Sequence, residues 1–162
     1  MNRWVLFIHV LSAFIFALAH GASTKVILRI QREKSAERLA ALLELTTEYA
    51  NVFYSSLLVM ILAGIANGFL GHWWGSIWIW LGLGLLLGIF YAMFALASMP
   101  LAKLRKALGL PYVEAGKPLP AEAPASPEDI ARLLAAIKPK SIAVIGYGGL
   151  ALVVWLMVLK PF

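Results

Sequence analysis

Four apolar runs, at residues 4–21, 49–70, 77–97 and 142–159, contain no Asp, Glu, Lys or Arg. Each is close to the ~20 residues that a helix needs to cross about 30 Å of hydrocarbon. In lipid a backbone must satisfy its polar groups internally, which leaves helices and closed barrels as the possible spanning structures. Period-two alternation is absent and the runs are apolar on every side, so the helical solution follows. The expected fold is all-α: a single domain over residues 1–162, built as a four-helix transmembrane bundle. The charged segments 22–48 and 98–141 connect its spans on one side. Composition agrees, since 62% of the residues are hydrophobic and 14% charged, against about a quarter charged in soluble domains.

The basic residues set the orientation. Lys25, Arg29, Arg32, Lys34 and Arg38 fall between spans one and two. Lys103, Arg105, Lys106, Lys117, Arg132, Lys138 and Lys140 fall between spans three and four. Only Arg3 and Lys160 remain for the other side. By the positive-inside rule both termini lie outside the cytoplasm of a cell inner (plasma) membrane. The first run is longer than a signal-peptide core and its basic cluster follows it, so it reads as a retained helix. Trp4, Trp73, Trp74, Trp78 and Trp80 gather toward the outer interface, where an amphipathic indole sits best. The net charge of +6 therefore matches anionic headgroups, and the expected partners are the lipid bilayer and other membrane subunits, with no nucleic acid.

Within segment 22–48 the apolar residues keep helical spacing, so spans one and two extend inward as a helical hairpin turning near residues 33–36. Glu44 and Glu48, one turn apart, are placed to pair with Lys25 or Arg29. Met99-Pro100 is expected to end span three, because proline lacks the amide proton and disfavours helix at the preceding residue. Residues 111–127 read as an irregular Pro- and Ala-rich linker. Ser126, Pro127, Glu128 and Asp129 then form a helix start. Ile130, Leu133, Leu134 and Ile137 make the apolar stripe of a short amphipathic helix on the inner surface or on the bundle. Gly64 and Gly68, Gly84 and Gly88, with Gly82, Gly146, Gly148 and Gly149, are expected to bring helices into close contact.

Chemistry within the spans is restricted. With no cysteine there are no disulfides, thiolate metal sites or iron–sulfur clusters. No nucleophile elbow, phosphate-binding loop, metalloprotease pair or calcium loop is present. No midplane acid marks a proton-driven transporter. The sequence thus favours a non-enzyme, and the candidate site residues are the histidines. His9 and His20 are eleven residues apart, a net rotation of ~20° and a separation of roughly 16 Å along one helix. Ionisable groups in a membrane usually face the bundle interior and mark function. A haem b held by axial nitrogens is the cofactor this arrangement suggests, and no metal other than haem iron. His72, in the outer turn, lies at a depth compatible with His9 and is its expected axial partner across the iron. His20 has no histidine at its level, and Met99, Tyr49, Glu48 and Asn51 are its possible partners. The alternative is a structural or small-molecule transport protein without cofactor.

The opening stretch from Trp4 through His9, Ser12 and Phe14 to His20, Gly21 and Ala22 resembles the first helix of an uncharacterised bacterial family of predicted integral membrane proteins. That family is loosely related to the copper-resistance D and J-type protoporphyrinogen oxidase families. The resemblance covers span one and, more loosely, the four-span layout. It implies that His9 matches the helix-one histidine, a haem ligand in the oxidase branch. The chain departs from that branch in having no lysine in span three, and from copper handling in lacking a Met- and His-rich outer face. The resemblance therefore points to the membrane family and carries no enzymatic activity with it.

The absence of native cysteine makes the orientation directly testable. Single cysteines replacing Gly75 and Lys117 should be labelled by a membrane-impermeant reagent from opposite sides of intact cells, Gly75 from outside. Labelling of Gly75 only after permeabilisation inverts the topology.

Overall fold

The computed structural model describes residues 2–114 and 116–161. Helix α1 (Arg3–Ile30) and helix α2 (Ala36–Leu70) form an antiparallel hairpin. Helix α3 (Ile77–Met93) passes through a π-helical turn (Phe94–Ser98) into α4 (Met99–Ala107). A two-stranded hairpin, β1 (Tyr112–Glu114) with β2 (Lys117–Leu119), precedes α5 (Pro127–Ala136) and α6 (Pro139–Leu159). Four continuous stretches are long and apolar enough to cross a membrane, as the sequence predicts: Arg3–Ile30, Ala36–Leu70, Ile77–Ala107 and Pro127–Leu159. The closest partnerships are α1 with α2 and α3 with α6, and the two pairs meet chiefly where α1 touches α6.

Lipid is the solvent that the surface demands. Only 6% of the most apolar window of the third stretch is buried within the protein, and Leu18, Tyr91 and Val144 are each more than 70% exposed. The tightest packing lies elsewhere. At 28 and 35 residues, α1 and α2 extend about 42 and 52 Å, well beyond ~30 Å of hydrocarbon. Their excess lengths run together at the end of the bundle that carries most of the basic residues. There Ile30, Leu39, Leu43, Leu104, Ile137 and Ile142 are fully buried in one core. Ile130, Leu133 and Leu134 of α5 pack against it, so the amphipathic helix sits on the bundle. Ser126 caps α5 by accepting from the Asp129 amide at 3.1 Å, and the Gln31 side chain donates to the Ile137 carbonyl at 3.0 Å.

Three local expectations are corrected. Pro100 does not end the third helix. The Met99 amide reaches back five residues to the Phe94 carbonyl, and this widened turn lets the chain continue into α4 with proline in its first turn. The 111–127 stretch is not wholly irregular, since it contains the β1–β2 hairpin, with Gly116 at a positive φ of 77° supplying its turn. Glu44 pairs with neither Lys25 nor Arg29. It accepts from Arg105 Nη2 at 2.7 Å, while Arg105 Nη1 donates to Thr47 Oγ1 at 3.0 Å and to the Leu43 carbonyl at 3.2 Å. Arg105 Nε also donates to the Pro111 carbonyl at 2.9 Å. One guanidinium thereby fastens α4 to α2 and to the start of the hairpin, using the fork of donors that lysine lacks.

The docking of α5 is apolar and should fail selectively. Replacing Leu133 and Leu134 together by Asp is expected to remove roughly 2–4 kcal/mol of burial. Proteolysis between residues 111 and 126 should then accelerate while the helical circular dichroism of the spans persists. Unchanged cleavage would contradict this packing.

Candidate functional site

Polar side chains within the spans mostly return to their own backbone. Ser12 donates to the Ile8 carbonyl at 2.7 Å, Ser55 to Asn51 at 2.8 Å and Ser56 to Val52 at 2.7 Å. These one-turn bonds satisfy the hydroxyls where water is absent. Ser12, Ile15, Ser55, Ser56 and Val59 line an open cleft of about 250 Å³ along the α1–α2 seam, but its buried hydroxyls are already committed.

His9 differs because its bond crosses between helices. Its Nδ1 lies 2.8 Å from the Met60 carbonyl of α2. A carbonyl only accepts, so the bond requires a proton on Nδ1, and in the neutral ring Nε2 then keeps its lone pair. A Cβ at Gly64 would stand 3.0 Å from His9 Cε1 and 3.3 Å from Nδ1. The imidazole thus rests in a notch made by glycine, one helical turn beyond the carbonyl it contacts. An imidazole with Nδ1–H on a backbone carbonyl and Nε2 unprotonated is the arrangement that metal-ligating histidines adopt.

His20 occupies a closed setting. It is 6% exposed, and its Nε2 has no hydrogen-bond partner among the described residues. The ring lies beside the Phe16–Phe53 pair, whose centroids are 6.4 and 6.0 Å from its own and 4.5 Å from each other, and it meets Tyr147 edge-on at 5.5 Å. A Cβ at Gly146 would collide with Nε2, so the backbone of α6 seals that nitrogen. Phe53, Gly146 and Tyr147 surround it in place of the Met99, Tyr49, Glu48 and Asn51 considered from sequence.

His72 is fixed by the end of α2. Its amide donates to the Phe69 carbonyl at 3.2 Å and the Trp73 amide to Gly68 at 3.0 Å. This is the paired closure of a Schellman motif, which requires a left-handed residue, and His72 has φ of 55°. Its side chain is exposed. The three histidines therefore stand in three different environments. His9 hydrogen-bonds across a helix interface, His20 is sealed, and His72 shapes a turn. Among the described residues no group of three or more His, Asp or Glu side chains is placed to hold a metal ion. For a haem, one donor of this set would fit: His9 would offer an axial nitrogen, and its Nδ1 bond to the Met60 carbonyl matches the tautomer that a ligating ring needs.

The glycines divide in a way the spacing did not reveal. Gly64, Gly68, Gly82, Gly146 and Gly149 each face a side chain that an added Cβ would crowd, whereas Gly84, Gly88 and Gly148 meet nothing within 4 Å. The pair in α3 is therefore not an internal packing contact.

Two polar clusters escaped sequence reasoning because their members are far apart in the chain. One is the Arg105 clamp described above. The other joins Lys106 to Glu122 at 3.5 Å and Glu114 at 3.8 Å, with Lys106 4.8 Å from the centre of the Tyr112 ring and the Tyr112 hydroxyl donating to Glu122. That hydroxyl is the main reason the Glu122 carboxyl titrates below its ordinary range. At the opposite end Lys160 places Nζ 4.1 Å from the ring centre of Trp73 and 5.2 Å from that of Trp78. This cation–π contact closes α6 onto the tryptophan-rich turn. No known protein family, curated protein or solved structure matches the chain.

Proposed function

We propose that this is a multi-pass membrane protein of the electron-transfer type, with its basic end in the cytoplasm, that holds a haem b through His9. One observation carries the reading: His9 Nδ1, 2.8 Å from the Met60 carbonyl oxygen, donates its hydrogen bond there and leaves Nε2 of the neutral ring free to ligate. The resemblance read from the residues of span one, with its early helix-one histidine, is consistent with this reading. A haem so bound supplies reversible one-electron transfer. The chain's part is to fix the imidazole and surround the site with apolar helices in a medium that excludes water. His9 is the proposed ligand from this chain. His20 serves instead as a packing residue at the α1–α6 joint, and His72 as a turn residue. The protein acts as a membrane subunit and performs no bond-making chemistry of its own.

Absorption spectroscopy tests this after purification in mild detergent from cells supplied with haem. The wild-type protein should show a Soret band, His9→Ala should lose it, and His20→Ala and His72→Ala should keep it. A wild-type protein without a Soret band sinks the haem reading, and the alternative of a cofactor-free structural or transport protein then takes its place.

A further inference from the structure

We propose that Gly64 is a positioning residue for His9: by lacking a side chain it admits the imidazole to the Met60 carbonyl and so sets the tautomer. Its consequence for iron rests on the haem reading, whereas the tautomer claim does not. In the regular ladder of α2 the Met60 carbonyl accepts the amide of residue 64, one turn later. A carbonyl has a second lone pair, but a ring approaching it from the neighbouring helix must pass over position 64. The His9 ring takes that path, with Nδ1 2.8 Å from the oxygen. A Cβ at 64 would lie 3.0 Å from Cε1 and 3.3 Å from Nδ1, inside the ordinary ~3.5–4.0 Å separation of carbon atoms. Alanine there displaces the ring by a few tenths of an ångström, from the side that carries the hydrogen bond. The bond then lengthens, and the preference for Nδ1–H weakens with it. Nothing else among the described residues hydrogen-bonds the His9 ring, so no second contact restores the preference.

Gly68 supplies a matched control. It lies one turn further along the same helix, and a Cβ there would stand 3.0 Å from the Trp74 ring. The crowding is at least as great, with three Trp74 atoms within 3.2 Å, but falls on Trp74 and not on His9. Alanine is the better helix former at both positions, so both variants should fold.

The experiment is ¹⁵N NMR of histidine-labelled protein in lipid nanodiscs, without haem, on wild type, Gly64→Ala and Gly68→Ala. Wild type and Gly68→Ala should hold His9 with Nδ1 protonated and Nε2 bare, and Gly64→Ala should show a mixture of tautomers. A wild-type His9 protonated at Nε2, or a Gly64→Ala spectrum identical to wild type, overturns the proposal even if haem binds. If Gly64→Ala does not fold, the wild-type tautomer and transfer from the His9 Nδ1 proton to a ¹³C-labelled Met60 carbonyl decide it alone. With haem loaded, Gly64→Ala should weaken retention roughly 10- to 100-fold, the usual effect of losing a hydrogen-bond partner behind a ligating histidine, and Gly68→Ala should not. Absence of haem in the wild type refutes the cofactor reading and leaves the tautomer result to judge Gly64.

Discussion

Hydrocarbon offers no hydrogen bonds, and the architecture follows from that deficit. Each span answers it with a continuous helix, and the serines within spans return their hydroxyls to carbonyls in the preceding turn. His9 spends its Nδ1 proton across an interface, on Met60. That single bond ties α1 to α2, selects a tautomer and leaves a basic nitrogen in an apolar setting, where an unpaired nitrogen is expensive to keep. His20 leaves the constraint unmet: its Nε2, closed against Gly146, has no hydrogen-bond partner among the described residues. Asn67, 4% exposed, and the Trp74 indole nitrogen also lack partners among the described residues, near the tryptophan-rich end.

Packing divides along the molecule. The apolar lengths touch one another sparingly and leave much of their surface to lipid. The best-packed core lies at the basic end, where the extensions of α1 and α2 meet α4, α5 and the start of α6. There the driving force is water-based burial, at about 25 cal/mol per Å² of apolar surface. Arg105 reinforces this region with donors to four acceptors on α2 and the segment after α4. Between bilayer-type helices, by contrast, contact depends on close backbone approach, which explains why Gly64, Gly82, Gly146 and Gly149 each face a side chain of another helix that a Cβ would crowd.

The type and number of the spans were legible in the sequence because length and freedom from charge are local properties of a span. The hairpin turn near residues 33–36 and the Ser126 cap were legible too, each being written in adjacent residues. What escaped was non-local. Nothing in the sequence around Glu44 announces Arg105, sixty-one residues away, and the β1–β2 hairpin hides in a proline-rich stretch. Pro100 misled because a π turn upstream of it accommodates what an α-helix would refuse. At the site, sequence placed His9 and His20 on one face of one helix. It could not show that Gly64 opens a path to a carbonyl for one ring while Gly146 shuts in the nitrogen of the other. Small-residue spacing was likewise an incomplete guide, as Gly84 and Gly88 share the pattern of Gly64 and Gly68 without its contacts.

The central claim is that His9 offers Nε2 to iron. Electron–nuclear hyperfine spectroscopy of the haem-loaded ferric protein, carrying ¹⁵N only in histidine, reads the coordinating nitrogen directly. The account predicts an axial ¹⁵N coupling in the wild type; His9→Gly should regain haem only with added unlabelled imidazole, and then show an axial ¹⁴N coupling, beside that of the porphyrin nitrogens, in place of the ¹⁵N one. Persistence of the same ¹⁵N coupling in His9→Gly would contradict it.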